Sequence, residues 1–161
     1  MIKLQRLGHI LISVRDLERS KAFYTQILGF KVLEQDPDHG GVFMSLGDYG
    51  NTLDLAPSTN PDAYPRPKAG LGRPREGLGV KHTAFAVATE EDLTRAYFAL
   101  KDAGVQIYQA LDHRSQKSVY FYDPDDNLLE IVWERPNTRE IFEQGRGDGD
   151  MPITFERPTG R

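Results

Sequence analysis

Val80-Lys81-His82-Thr83-Ala84-Phe85-Ala86-Val87 decides the fold, because a similar stretch stands earlier in the chain, Gly8-His9-Ile10-Leu11-Ile12-Ser13-Val14. Each reads as a strand in which one histidine interrupts a largely apolar run. In the first, His9, Leu11 and Ser13 face one way and Ile10, Ile12 and Val14 the other. Each histidine stands five residues before the valine that closes its stretch.

The segments after the two stretches also repeat. Asp16 is a good helix N-cap; Leu17, Ala22, Phe23, Ile27 and Leu28 recur at helical spacing, and Gly29 ends the helix. In the second copy Glu90, Glu91 and Asp92 open a helix, Leu93, Ala96, Tyr97 and Leu100 line its inner face, and Gly104 ends it. Asp92 takes the place of Asp16 when the copies are superposed. Strands are expected over 31–34, 41–46 and 52–56 after the first helix, and over 106–110, 118–122 and 128–133 after the second. The chain is therefore an α+β protein of two tandem βαβββ modules, about 7–57 and 80–135, with an internal period of roughly 75 residues. Residues 58–79 between them are rich in proline and glycine and read as a linker or lid. Beyond 135 a polar tail runs to 161, with a short helix expected near 138–142 and then an extended arm.

The hairpin at 113–130 carries the second oddity. Val119 to Tyr122 suits a pleated strand, Asp123-Pro124-Asp125-Asp126-Asn127 is turn chemistry, and the next strand is apolar except for Glu130. A carboxylate in a strand that otherwise reads as buried is costly unless paired or bound to a metal. Superposing the copies sets His9 on His82 and Asp54 on Glu130. Two such modules paired about a pseudo-twofold would bring these positions together.

Composition narrows the chemistry. Net charge is −4 with no long basic run, so neither nucleic acid nor an anionic membrane is the expected partner. No stretch approaches the roughly 20 apolar residues that span a bilayer, and the N-terminus lacks a secretory hydrophobic region; a cytoplasmic protein is expected. Cysteine is absent, which leaves no thiolate nucleophile or ligand. A metal site must draw on carboxylates and on His9, His39, His82 and His113. His39, between Asp38 and Gly40, reads as a turn residue. Two imidazoles and one carboxylate with open positions beside them suit a non-haem iron(II) site, and His9, His82 and Glu130 meet that requirement.

Gly8-His9-Ile10, Phe23-Tyr24 with Leu28-Gly29-Phe30, the 80–87 strand, and Asp123-Pro124 with Asn127 and Glu130 resemble the vicinal oxygen chelate superfamily. That superfamily includes glyoxalase I, fosfomycin-resistance thiol transferases, bleomycin-binding proteins, methylmalonyl-CoA epimerase and type I extradiol dioxygenases. The resemblance covers about residues 7–135 and implies a cupped mixed sheet around a central metal held by His9, His82 and Glu130. Within it, His113, Val119, Tyr120, Asp123, Pro124 and Glu130 are similar in spacing to a small one-domain extradiol ring-cleavage dioxygenase. Asp126 stands where that pattern has Gly or Pro, and Leu111 where a small or β-branched residue is usual.

The implied function is cleavage of a catecholic aromatic ring by dioxygen, with iron(II) as metal and manganese(II) or another divalent ion as its substitute. Tyr120 would hydrogen-bond the substrate oxygen and His113 would serve as acid and base. A small aromatic diol and dioxygen are the expected partners, and a homo-oligomer the expected assembly. Three other readings are compatible with the fold. One is a glyoxalase I-like lyase or isomerase with Asp54 as a fourth ligand. Another is a metal-free small-molecule binding or resistance protein, and the last a thiol or epoxide transferase.

Overall fold

The structure, a computed structural model, describes residues 2–35, 38, 40–62, 80–147 and 149–157. His39 and most of the 58–79 segment lie outside the described residues. The chain divides into two compact units, Met1–Pro65 and Arg66–Arg161.

The first unit runs β1 (Ile10–Val14), α1 (Leu17–Ala22) closing in a π-helical turn (Phe23–Ile27), β2 (Lys31–Gln35), β3 (Val42–Ser45) and β4 (Leu53–Pro57). Asp16 caps α1 as expected, its carboxylate accepting from the Arg19 N–H. The wider last turn is closed by Leu28 N–H donating to Phe23 O, and Gly29 at φ +78° reverses the chain where a side chain would be strained. Phe23, Tyr24 and Phe30 pack edge to face beneath this turn. They join Val14, Val42, Met44, Leu53 and Leu55 in the core. The sheet order is β1-β4-β3-β2, with β1 parallel to β4 and the other pairs antiparallel.

The second unit repeats the plan with β5 (Thr83–Ala86), α2 (Glu90–Asp102), β6 (Ile107–Asp112), β7 (Gln116–Tyr122) and β8 (Leu128–Glu134). Its order, β5-β8-β7-β6, matches the first unit strand for strand, again with the first and last strands parallel. Leu93 and Leu100, from the inner face of α2, are buried with Val119, Phe121, Leu129, Ile131 and Val132. The helix ends in a Schellman motif: Val105 N–H reaches Leu100 O, Gly104 N–H reaches Lys101 O, and Gly104 has φ +70°.

The second helix opens at Glu90, Glu91 and Asp92 as expected, with Thr89 as its N-cap: the Thr89 hydroxyl accepts from the Asp92 N–H while donating to the Asp92 carboxylate. One expectation changes. His9 and His82 are not mid-strand but directly precede β1 and β5, because ladder pairing begins at Ile10↔Leu53 and Thr83↔Leu129. Past α3 (Thr138–Glu143) the extended arm pairs with the sheet: β9 (Met151–Pro152) adds a fifth strand beside β6. Among the described residues no helix is long and apolar enough to cross a membrane.

Candidate functional site

The register of each parallel strand pair determines which side chains meet. In the second unit Ala84 opposes Glu130, so His82 and Glu130 share a face of the sheet. His82 Nε2 lies 3.0 Å from Glu130 Oε2. In the first unit Leu11 opposes Asp54, and His9 Nε2 lies 3.6 Å from Asp54 Oδ2. The repeat alignment of histidine on histidine and carboxylate on carboxylate is thus reproduced as one His–carboxylate pair per unit.

Glu130 is 2% exposed. A carboxylate so deep needs partners, since each buried ion forfeits several kcal/mol of hydration. Besides His82 it accepts from the Ser118 hydroxyl and, at 3.4 Å, from the Gln116 amide; both project from β7 on the same face. Asp54 is 4% exposed, and the Asn51 side-chain amide donates to both its oxygens at 2.9 Å.

Tyr120 is the direct cross-strand neighbour of Glu130. Its ring stands edge to face with those of His82 and His113, at centroid distances of 5.6 and 5.9 Å. Burial, and then the nearby Glu130 charge, push its phenol up to about 12, so it holds its proton at neutral pH. Tyr120 Oη lies 2.9 Å from His113 Nε2.

His113 owes its position to a two-residue turn. Its N–H donates to Gln116 O, Arg114 takes the left-handed conformation at φ +67°, and the Asp112 carboxylate accepts from the Arg114 N–H. Arg135 clamps the turn from β8's end, bonding Arg114 O and the other Asp112 oxygen. Although Asp112, Arg114, Ser115 and Gln116 make this a polar loop in sequence, the His113 side chain is only 12% exposed. The cover comes from the arm: Asp150 Oδ1 lies 2.9 Å from His113 Nδ1, and Arg146 bonds both Asp150 Oδ1 and His113 O.

The second unit therefore gathers His82, Glu130, Tyr120 and His113, four of the five site residues expected from sequence. His9 belongs to the first unit. Among the described residues no group of three or more His, Asp or Glu side chains is clustered to hold a metal. As a donor set, His82 and Glu130 fit a divalent cation: a ring nitrogen and a carboxylate oxygen converge, and the carboxylate is oriented by Ser118 as supported ligands usually are. Sequence reasoning missed Gln116, Ser118, Asn51 and Asp150. Gln116 and Ser118 were legible in principle, by alternation from Tyr120 on β7.

The profile of the Glyoxalase/Bleomycin resistance protein/Dioxygenase superfamily matches residues 6–131. The chain belongs to this superfamily. Similar curated relatives include the catechol-2,3-dioxygenase of Bacillus subtilis, 29% identical over 92% of this chain. They also include the metallothiol transferase FosB of Lysinibacillus sphaericus, 32% identical over 80% of it. The chain spans 47% of the length of the first and 82% of that of the second. Among solved structures, a glyoxylase/bleomycin resistance protein/dioxygenase domain from Frankia superposes with a TM-score of 0.65 at 24% identity. The match covers 83% of this chain and all of that one, which shows the fold. The superfamily hosts dioxygenases, thiol transferases and an epimerase, so membership alone leaves the reaction open.

Proposed function

We propose that this protein is a metal-dependent dioxygenase of the extradiol type, cleaving a catecholic ring with dioxygen. The observation that carries the reading is the Tyr120–His113 hydrogen bond standing beside the His82–Glu130 pair on one face of one sheet. A cation site alone would serve many reactions of this superfamily; a phenol and an imidazole next to it supply the proton handling that ring cleavage of a diol demands.

In this reading His82 and Glu130 hold the metal together with His9, whose inclusion rests on the internal repeat. Iron(II) bound there would supply open positions for two adjacent substrate oxygens and for dioxygen. The chain's residues do the rest. The Tyr120 hydroxyl, protonated at neutral pH, donates to one oxygen of the diol and fixes its orientation. His113 Nε2 takes a proton from the substrate oxygen and returns it as the ring opens. Leu128 and Val132, buried on the same face of β8 as Glu130, keep its surroundings apolar, which strengthens each of these contacts.

Against the four-ligand, glyoxalase-like arrangement, Asp54 is one methylene shorter than the glutamate usual as that ligand. One observation favours a thiol transferase as the second reading: the FosB relative is matched over most of its length, the catechol dioxygenase over about half. One experiment separates the two. Protein purified without air and loaded with iron(II) is given catechol or 2,3-dihydroxybiphenyl in aerated buffer. A yellow ring-fission product is expected. No colour with either diol, together with metal-dependent addition of a thiol to an epoxide, would overturn the proposal.

A further inference from the structure

The C-terminal arm makes a series of attachments to the second unit. Leu111↔Pro152 and Asp112↔Met151 pair β6 with β9, and the same antiparallel register sets Asp150 opposite His113. Ile153 N–H continues the ladder to Ala110 O. Farther on, Phe155 packs on Tyr97 of α2, and Arg157 forms a bidentate pair with Asp102 while lying over the Phe98 ring. The arm thus binds one edge of the sheet and then the helix beyond it, with Asp150 at the point where it meets His113.

We propose that Asp150 is a positioning residue: it fixes the tautomer and orientation of His113 so that Nε2 keeps its lone pair free of hydrogen, facing the Tyr120 hydroxyl before substrate binds and the substrate oxygen once the hydroxyl turns to the diol. Donors and acceptors decide the tautomer. The Asp150 carboxylate offers only lone pairs, so the facing Nδ1 must carry hydrogen. In the neutral ring Nε2 then has no hydrogen and accepts from the Tyr120 hydroxyl. Hydrogen bonds from His113 and then Arg146 hold the Asp150 carboxyl below the ordinary aspartate range, which keeps it an acceptor at neutral pH. Asp150, His113 and Tyr120 form a continuous chain ending beside Glu130. Because Asp150 reaches the site only through the arm, a segment outside the repeated modules completes the acid–base group.

The catalytic consequence rests on the dioxygenase reading; the tautomer itself does not. The experiment therefore measures both, in full-length protein. Long-range proton–nitrogen NMR at about pH 8, above the ordinary histidine value of about 6.5, reports which ring nitrogen of His113 is protonated. A His113→Gln variant assigns the signal among the four histidines. Wild-type protein is expected to show the Nδ1–H form. Asp150→Ala is expected to shift it to the Nε2–H form, and Asp150→Glu to restore Nδ1–H. In iron-loaded protein Asp150→Ala should lower kcat roughly 10- to 100-fold with little change in KM or metal content, and Asp150→Glu should recover part of it. An unchanged His113 signal in Asp150→Ala, or unchanged kcat, overturns the proposal. A tautomer switch in a protein that opens no catechol ring upholds the Asp150–His113 coupling and overturns the ring-cleavage reading instead.

Discussion

Glu130 Oε2 and His82 Nε2 stand 3.0 Å apart, the one on β8 and the other just before its parallel neighbour β5, at one end of a five-stranded sheet. The same relationship recurs between Asp54 and His9, at 3.6 Å, in a unit built from a different stretch of sequence. Parallel pairing of the first and last strands of a βαβββ module brings a residue just before the first strand over one early in the last. Two copies of the module therefore make two such pairs. The copies have diverged in the carboxylate's supports, Asn51 for Asp54 and Ser118 with Gln116 for Glu130.

Metal content tests the proposed ligands directly. Glu130→Ala and His9→Ala should each lose most bound iron by elemental analysis after reconstitution. Full retention in both would remove the site. Ser118→Ala should weaken metal affinity by about 10-fold or more, because the carboxylate loses a donor that orients it.

His113→Phe keeps a ring in the pocket and removes the proton carrier. Turnover of catechol should fall about 100-fold or more while metal content stays near wild type. Tyr120→Phe should leave the fold intact and reduce turnover less, since it removes the proposed orienting hydrogen bond to substrate and spares the imidazole.

The β7–β8 turn separates local strain from function. Asp123 accepts from the Asp125 and Asn127 N–H groups and from the Asn127 amide, and Asp126 sits at φ +64°. Asp126→Gly should stabilise the protein by about 0.5–1 kcal/mol, because glycine adopts the left-handed conformation without penalty. Asp123→Ala should destabilise it by about 2 kcal/mol through the lost acceptors. Urea denaturation at neutral pH reads both.

Acid should release the arm. Hydrogen bonds to Arg157 and to His113, with Arg146, depress the carboxyls of Asp102 and Asp150. A depressed folded value means the stabilisation is complete above the unfolded aspartate value of about 3.9 and is lost as pH falls through the lower folded values. Limited proteolysis with pepsin across that range should cut within 145–157 more readily as pH falls, and Arg157→Ala should move the onset to higher pH. Cleavage independent of pH would show that these contacts do not hold the arm in place.

The chain by itself determined the repeated module, the order of its elements and the equivalence of His9 with His82 and of Asp54 with Glu130. These depend on side-chain periodicity, caps and turns, which are local and recur at a fixed spacing. The departure of Asp126 from the expected Gly or Pro was legible too; its positive φ shows why glycine suits that position and why aspartate is tolerated. Strand limits were less legible, and His9 and His82 fell just outside theirs because pairing partners, not composition, set where a ladder begins.

Only the tertiary structure decided the surroundings of His113. A polar tail has no period to read, and an added edge strand is held by backbone N–H and C=O groups that every sequence possesses. The register of β9 on β6, fixed by the folded sheet edge, is what brings Asp150 against His113 and turns a residue in a polar loop into a covered, hydrogen-bonded imidazole.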